Sequence, residues 1–524
     1  MTFIFRHLHV IYLLREDNIC LIIFVFKYSI KFQNAYKSKS IYIFMKVILI
    51  NPSMKHIMKT CSNYIPMNAV NHFVPINLLY LGTVIKQKTT YEVKIIDADI
   101  DGKTYDEVAE EVKAENADIV GISAITFTFY DCLETIRAIK RLSPKVKICV
   151  GGPLVKYFSK ETIEHPEIDY VLLGEAEYSF VKLVEAIEKR SDTKEIKGLL
   201  YKENEKVIST GAPETITNLD DLPFPSLELI DYKKYYFSMG NSQPLATILG
   251  SRGCPYQCRF CQSANTGYRM RSIKSMLDEI KQYVDHGITN FNISDDTFNV
   301  SANKVIEFSK GILDRGYKIT WNFRGRIENV TEEMFSIAKK SGLILMSFGI
   351  EDATDEALEI IKRKQTLDQV FKGVDLAKKC KVPISANFIL GLPTQKTRED
   401  VGRIITLAKK LQPDYCQFSV FVPHYGTGFY EEGVAKGILD PYFWRGYIKN
   451  PVKDIYILNW GEHFSRQQLD GFMKEAHRSF YFDPKYLVRA LGRVESPTDF
   501  FVKAKVALNV FTLFVLGKRV AEKN

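Results

Sequence analysis

No uninterrupted apolar run in this chain of 524 residues approaches the length of a membrane-crossing helix. Such a helix needs about 20 apolar residues. Ile19–Phe26 is the longest run near the N-terminus, and Val506–Gly517 is apolar over 12 residues. The sequence therefore argues against an integral span and leaves peripheral contact open. A paired cysteine framework is also missing. Of nine cysteines, Cys20, Cys61, Cys132, Cys149, Cys380 and Cys416 are scattered, which points to a reducing, cytoplasmic setting. Strong charge of one sign is missing too. The net charge is +9, and residues 1–44 supply +4 of it, so the rest has no nucleic-acid footprint. No internal repeat or low-complexity tract is present.

Residues 1–44 contain no glycine and no helix caps, and no small-residue cleavage site follows their apolar run. Met45 opens Met-Lys-Val-Ile-Leu-Ile-Asn-Pro, a natural first strand. The expectation is that residues 1–44 are a non-native or disordered extension and that Met45 is the start, which a mass spectrum of the native N-terminus tests.

What is present is ordinary globular composition, 46% apolar and 25% charged, organised in alternating units. Residues 45–190 alternate strand and helix signals, which predicts a doubly wound parallel sheet with helices on both faces. Ligands bind such sheets at the carboxyl ends of the strands. That singles out Asn51-Pro52-Ser53, Ser123, Gly151-Gly152-Pro153 and Gly174-Glu175. Residues 191–243 read as a connector with a short hairpin and the Pro-Phe-Pro of Asp-Asp-Leu-Pro-Phe-Pro-Ser. Residues 244–430 alternate again through six units, which predicts a partial (β/α)6 TIM-like barrel whose functional residues follow the strands. Residues 431–524 read as helical.

Three cysteines do cluster. Cys254, Cys258 and Cys261 lie in Ser-Arg-Gly-Cys-Pro-Tyr-Gln-Cys-Arg-Phe-Cys-Gln, directly after the first barrel strand, with no fourth cysteine nearby. A structural zinc site normally takes four protein ligands. Three thiolates on an iron–sulfur cube leave one iron open to a ligand that is not protein.

The Cys-x3-Cys-x2-Cys spacing is the signature of radical S-adenosylmethionine (SAM) enzymes. With a doubly wound domain before it, a Pro-Phe-Pro connector and a helical tail after it, the chain resembles the cobalamin-binding-domain radical SAM family over residues 45–490. That family includes class B methyltransferases and the anaerobic magnesium-protoporphyrin monomethyl ester cyclase. The resemblance implies that Cys254, Cys258 and Cys261 hold a [4Fe–4S] cluster whose open iron binds SAM. It implies that Asp296 and Glu351 contact SAM, with Gly391 in the following turn. Asp295, Arg324 and Arg326 are weaker candidates. It also implies that Ser123, Gly151, Gly152, Gly174 and Glu175 border cobalamin, the glycines by letting backbone approach the nucleotide tail.

The implied reaction begins with one-electron cleavage of SAM to a 5′-deoxyadenosyl radical, which takes hydrogen from an unactivated carbon of a small-molecule substrate. Methyl transfer by cobalamin follows, or oxidation in the cyclase-like branch. A flavodoxin or ferredoxin would supply the electron. A tRNA methylthiotransferase fits less well, because Cys61, Cys132 and Cys149 make no second cluster set and the tail is helical. A non-catalytic cobalamin sensor would need no cluster. The cobalt is expected to lack a protein imidazole. Many cobalamin domains carry Asp-x-His-x-x-Gly after their first strand. Here the nearest match, Asp97–Gly102, follows the second strand and has Asp99 in place of histidine. His56 and His72 occupy the right loop without the local aspartate that would orient a ligating ring.

Overall fold

The computed structural model describes residues 45–59, 71–237 and 244–492, together with short strands between residues 9 and 25. The chain divides into two units, Met1–Phe44 and Met45–Asn524. In the first, His9–Ile11 pairs antiparallel with Ile23–Val25, and Leu14–Arg15 with Asn18–Ile19. Most of that extension, and the apolar run Val506–Gly517, lie outside the described residues.

The second unit begins with a seven-stranded sheet. Its strands are β1 (Lys46–Asn51), β2 (Glu92–Asp97), β3 (Ile119–Ser123), β4 (Lys147–Gly151), β5 (Tyr170–Leu172), β6 (Leu199–Glu203) and β7 (Lys206–Ser209), in the order β7-β6-β5-β4-β3-β1-β2. The first five are parallel, and the 2-1-3-4-5 order is a doubly wound one. Their apolar runs are explained by burial on both faces. Helices α1 (Ile76–Lys88) and α5 (Glu177–Lys189) cover one face. Helices α2 (Tyr105–Ala114), α3 (Phe129–Leu142) and α4 (Val155–Ile163) cover the other. The hairpin read as part of the connector is hydrogen-bonded antiparallel onto β5 and extends the sheet.

Six parallel strands follow in sequence order: β8 (Leu245–Ile248), β9 (Asn290–Ile293), β10 (Thr320–Gly325), β11 (Leu343–Glu351), β12 (Ile384–Leu390) and β13 (Tyr415–Val420). Between them run α6 (Ile273–Asp285), α7 (Ala302–Asp314), α8 (Glu332–Lys340), α9 (Asp355–Ile360), α10 (Leu367–Lys379) and α11 (Arg398–Leu411). Side chains alternate between the faces of this sheet. One face carries Phe291, Trp321, Phe323, Met346, Phe348, Phe388 and Phe418, all packed in the core with the helices. Strand register places Thr247, Asn292 and Asn322 side by side on the opposite face, then Arg324, Ser347 and Ser385, then Gly349, Asn387 and Gln417. The interior of this partial barrel is therefore polar, unlike the packed apolar interior of a closed one.

After the barrel come α12 (Gly428–Ala435), α13 (Phe443–Lys449), α14 (Arg466–Tyr481) and α15 (Pro484–Leu491). Half-buried ion pairs and a buried tyrosine bind the two sheets together. Glu175, at the end of β5, takes both Arg269 (2.6 and 2.9 Å) and Arg252 (3.4 Å), and Glu177 takes Arg252 at 2.5 Å. Tyr80 of α1 meets the Arg271–Glu279 pair of the barrel. No helix among the described residues is long and apolar enough to cross a membrane.

Candidate active site

The cysteine loop leaves β8 and is fastened to the loop after β9. The carboxylate of Asp295 is fully buried. It accepts hydrogen bonds from Gly250 N (2.7 Å), Ser251 N (3.0 Å) and the Ser251 hydroxyl, and pairs with Lys304 at 3.0 Å. Asp295 is thus spent on shaping the loop. Gly253 turns the chain with φ +80°, and a Cβ there would lie 1.9 Å from Thr266 O, so only glycine fits before Cys254. Thr297 Oγ1 lies 3.8 Å from Cys254 Sγ, and Ser263 donates to Asp296 at 3.2 Å.

Cys254 and Cys258 are buried and Cys261 half-buried, and all three are free thiols. Burial pushes the Cys261 thiol up to about 11, and the neighbouring Cys258, Asp296 and Cys254 add to it. Among the described residues no three His, Cys, Asp or Glu side chains converge on one ion position. A cube does not require that, because each thiolate takes a different iron.

Asp296 and Arg324 are exposed to solvent and yet surrounded by protein on most sides, as groups at the bottom of an open cleft are. Burial raises the Asp296 carboxyl against its hydrogen bond from Ser263. Glu351 ends β11 with φ +77°, a conformation rare for a residue with a side chain. Gly349 permits this, because a Cβ there would overlap Glu351 Oε1. Burial pushes the Glu351 carboxyl up, opposed by Arg363 (3.9 Å) and Arg326. Thr247 Oγ1, Arg363 Nε, Gln365 Oε1 and Asn387 Oδ1 are among the buried polar atoms of the barrel without a hydrogen-bond partner. Unpaired buried polar groups are costly, so each such atom calls for a bound partner. Gly391 (φ +80°) has a protein reason to be glycine, since a Cβ would sit 2.6 Å from Leu469 of α14.

At the carboxyl edge of the first sheet, several residues expected to border cobalamin have close protein neighbours. A Cβ on Gly152 would lie 2.7 Å from Ala124 O, and one on Gly174 2.7 Å from the Pro213 ring. Those glycines are needed for chain packing. The two arginines hold the Glu175 carboxyl low against burial that would raise it. A Cβ on Gly151 would meet only Leu172 O, at 3.8 Å, so that face stays open to a ligand. Ser123 Oγ accepts from the exposed Asn77 at 2.8 Å. A flat glycine beside two hydrogen-bonding side chains suits a nucleotide-bearing cofactor.

Asp97 ends β2 and Ala98–Gly102 is the turn after it, with Asp97 accepting from Asn51 (2.8 Å) and Tyr235 (2.9 Å). The local-sequence argument against His56 needs correcting. Asp131 of α3 lies 2.8 Å from His56 Nδ1, accepts from the Tyr105 hydroxyl as well, and is fully buried. The orienting carboxylate missing from the loop comes from 75 residues away.

These features together define an α/β protein in which a cobalamin-type sheet edge is locked to a three-cysteine barrel. The model of the B12 binding domain matches residues 67–184, and that of the radical SAM superfamily residues 248–408. An uncharacterized methyltransferase of Pyrococcus horikoshii is 34% identical over 79% of this chain and 89% of its own. The anaerobic magnesium-protoporphyrin IX monomethyl ester cyclase of Cereibacter sphaeroides is 28% identical over 78% of this chain and 67% of its own. The fold is shared with the radical SAM methyltransferase TsrM of Kitasatospora setae, solved with cobalamin and a [4Fe–4S] cluster. That likeness has a TM-score of 0.61 and 19% identity, over 75% of each chain. The chain belongs to the cobalamin-binding-domain radical SAM family, and its cofactors are a [4Fe–4S] cluster, SAM and cobalamin.

Proposed function

We propose that the protein methylates an unactivated carbon of a small-molecule substrate, with residues 45–190 holding cobalamin, 191–243 connecting and 244–430 forming the catalytic barrel. The observation that carries this is the thiol loop at the carboxyl end of β8, facing a polar interior with unpaired hydrogen-bonding atoms. When bound, the cluster, SAM and cobalamin supply one-electron cleavage and methyl transfer. Cys254, Cys258 and Cys261 hold the cluster. Asp296 and Glu351 receive the polar groups of SAM, with Thr247, Gln365 and Asn387 as further hydrogen-bonding partners. Ser123 and Gly151 border the cobalamin tail, while Gly152, Gly174 and Glu175 shape the edge around it. Buried aromatic packing behind β9 and β10 closes the outer face to water.

The setting is an oxygen-poor cytoplasm with a flavodoxin- or ferredoxin-like reductant. The Cereibacter relative keeps oxidative cyclisation as the second reading. Anaerobic turnover separates the two: S-adenosylhomocysteine alongside 5′-deoxyadenosine supports methyl transfer, and 5′-deoxyadenosine alone supports the cyclase-like branch. A Cys258→Ala protein that still cleaves SAM after reconstitution would falsify the cluster assignment.

A further inference from the structure

We propose that Arg326 and Arg363 are positioning residues that set the reduction potential of the cluster by donating hydrogen bonds to the sulfur of Cys258. The inference rests on Cys258 being a cluster ligand. Arg326 Nη1 and Arg363 Nη1 each lie 3.9 Å from Cys258 Sγ. All three groups are buried, with Arg326 only 1% exposed.

Neither guanidinium is there by accident of a flexible side chain. Arg326 lies over the Tyr256 ring at 3.9 Å, donates through Nη2 to Arg363 O and pairs through Nε with Glu328. Arg363 donates through Nη2 to Gly349 O at 2.7 Å and keeps Nε 3.9 Å from Glu351. In each fork Nη1 is free of these contacts, and both Nη1 atoms lie against the same sulfur. The Cys254 sulfur meets a neutral hydroxyl instead, that of Thr297.

An arginine keeps its charge even when buried, and burial strengthens its field. Hydrogen bonds to ligand sulfurs, together with net charge, set the potential of such clusters. Two N–H donors on one thiolate withdraw electron density from it and stabilise the electron that reduction adds. The cluster is then easier to reduce than it would be with the other two thiolates' surroundings alone. A purely structural role for the arginines predicts something different: lower cluster content with an unchanged potential per cluster.

The test uses the full-length protein, reconstituted anaerobically and titrated without SAM while the reduced-cluster electron paramagnetic resonance signal is followed. The midpoint of Arg363→Gln should move to more negative potential, with Arg363→Lys and Arg326→Lys between it and the wild type. An unchanged or more positive midpoint in Arg363→Gln overturns the proposal. Should the glutamine variant hold no cluster, the Arg363→Lys shift decides in the same way. Proton ENDOR of the reduced wild type before and after exchange into D2O gives a second measurement. Exchangeable couplings from the N–H groups are expected, and their absence also overturns it. A wild type that loads no cluster refutes the cysteine assignment itself; a loaded wild type with an unshifted glutamine variant refutes only this inference.

Discussion

Gly152 shows what a single residue can demand. Its φ is +97°, and an added Cβ would lie 2.7 Å from the Ala124 carbonyl oxygen, which leaves no room for a side chain. Left-handed backbone alone costs an ordinary residue about 1–2 kcal/mol, and the overlap adds to that. Gly152→Ala should lower the thermal midpoint, whereas Gly151→Ala, with open space beside it, should be tolerated in stability and weaken cobalamin binding. Differential scanning and equilibrium dialysis read the two effects apart. At the same scale, the three cysteines were legible because all three donors sit in one short stretch. Arg326 and Arg363 were not legible as partners of Cys258, nor was Asp131 as partner of His56, since those pairs are 68, 105 and 75 residues apart. His56, paired with Asp131, is the histidine whose role at the cobalt's lower face a spectrum tests. The expectation remains a cob(II)alamin signal without histidine nitrogen splitting, and splitting that disappears in His56→Ala would overturn it.

Strands and helices divide their labour by face. Trp321 on β10 is fully buried against the helices, and Asn292 on β9 is half-buried on the interior side. Trp321→Ala should cost about 3–5 kcal/mol. Asn292→Ala should change stability by no more than about 0.5 kcal/mol and weaken SAM binding, which calorimetry on reconstituted protein measures. Helix α14 makes a pH-dependent contribution. Burial lowers the His477 imidazole from its ordinary 6.5 to about 4, while its Nδ1 lies 2.9 Å from Met473 O. The unfolded imidazole takes up a proton below about pH 6.5, and the folded one stays neutral until about pH 4. The contribution is therefore complete above pH 6.5 and is lost as pH falls towards 4, about 2 kcal/mol of it by pH 5. Thermal midpoints measured from pH 7 to 5 should fall less steeply in His477→Gln. The alternation of strands and helices was legible from periodicity over residues 45–190 and 244–430, and the elements found there alternate in that way. The hairpin at residues 199–209 was not legible as a sheet edge, because a hairpin's local turn carries no information about which strand it pairs with.

For the whole molecule, the feature that matters is the buried Arg271–Glu279 pair of the barrel, onto which Tyr80 of α1 docks. Glu279 is fully buried, its carboxyl is pushed up by burial and held back by Arg271, and one of its oxygens has no partner. Removing one member of such a pair strands the other's charge, at about 3–5 kcal/mol, whereas replacing both with apolar residues is often neutral. Arg271→Ala should therefore lower the thermal midpoint sharply, and Arg271→Met with Glu279→Leu should recover most of it. If the double variant melts as low as the single, the pair does more than neutralise itself.

The sequence by itself determined the two alternating α/β units, their order, the cysteine loop and, through the resemblance those carry, the family and its three cofactors. Each of these is written in short-range signals: periodicity, turn residues and donor spacing within a few residues. Only the tertiary structure decided which distant protein groups the strand-end residues meet. It paired Glu175 with arginines of the other sheet, set Gly152 and Gly174 against Ala124 and Pro213, and made Asp295 the brace of the cysteine loop. It also brought two arginines onto Cys258. Those assignments depend on which distant segments meet. Side chains with several possible partners carry no local mark of which one the fold will bring to them.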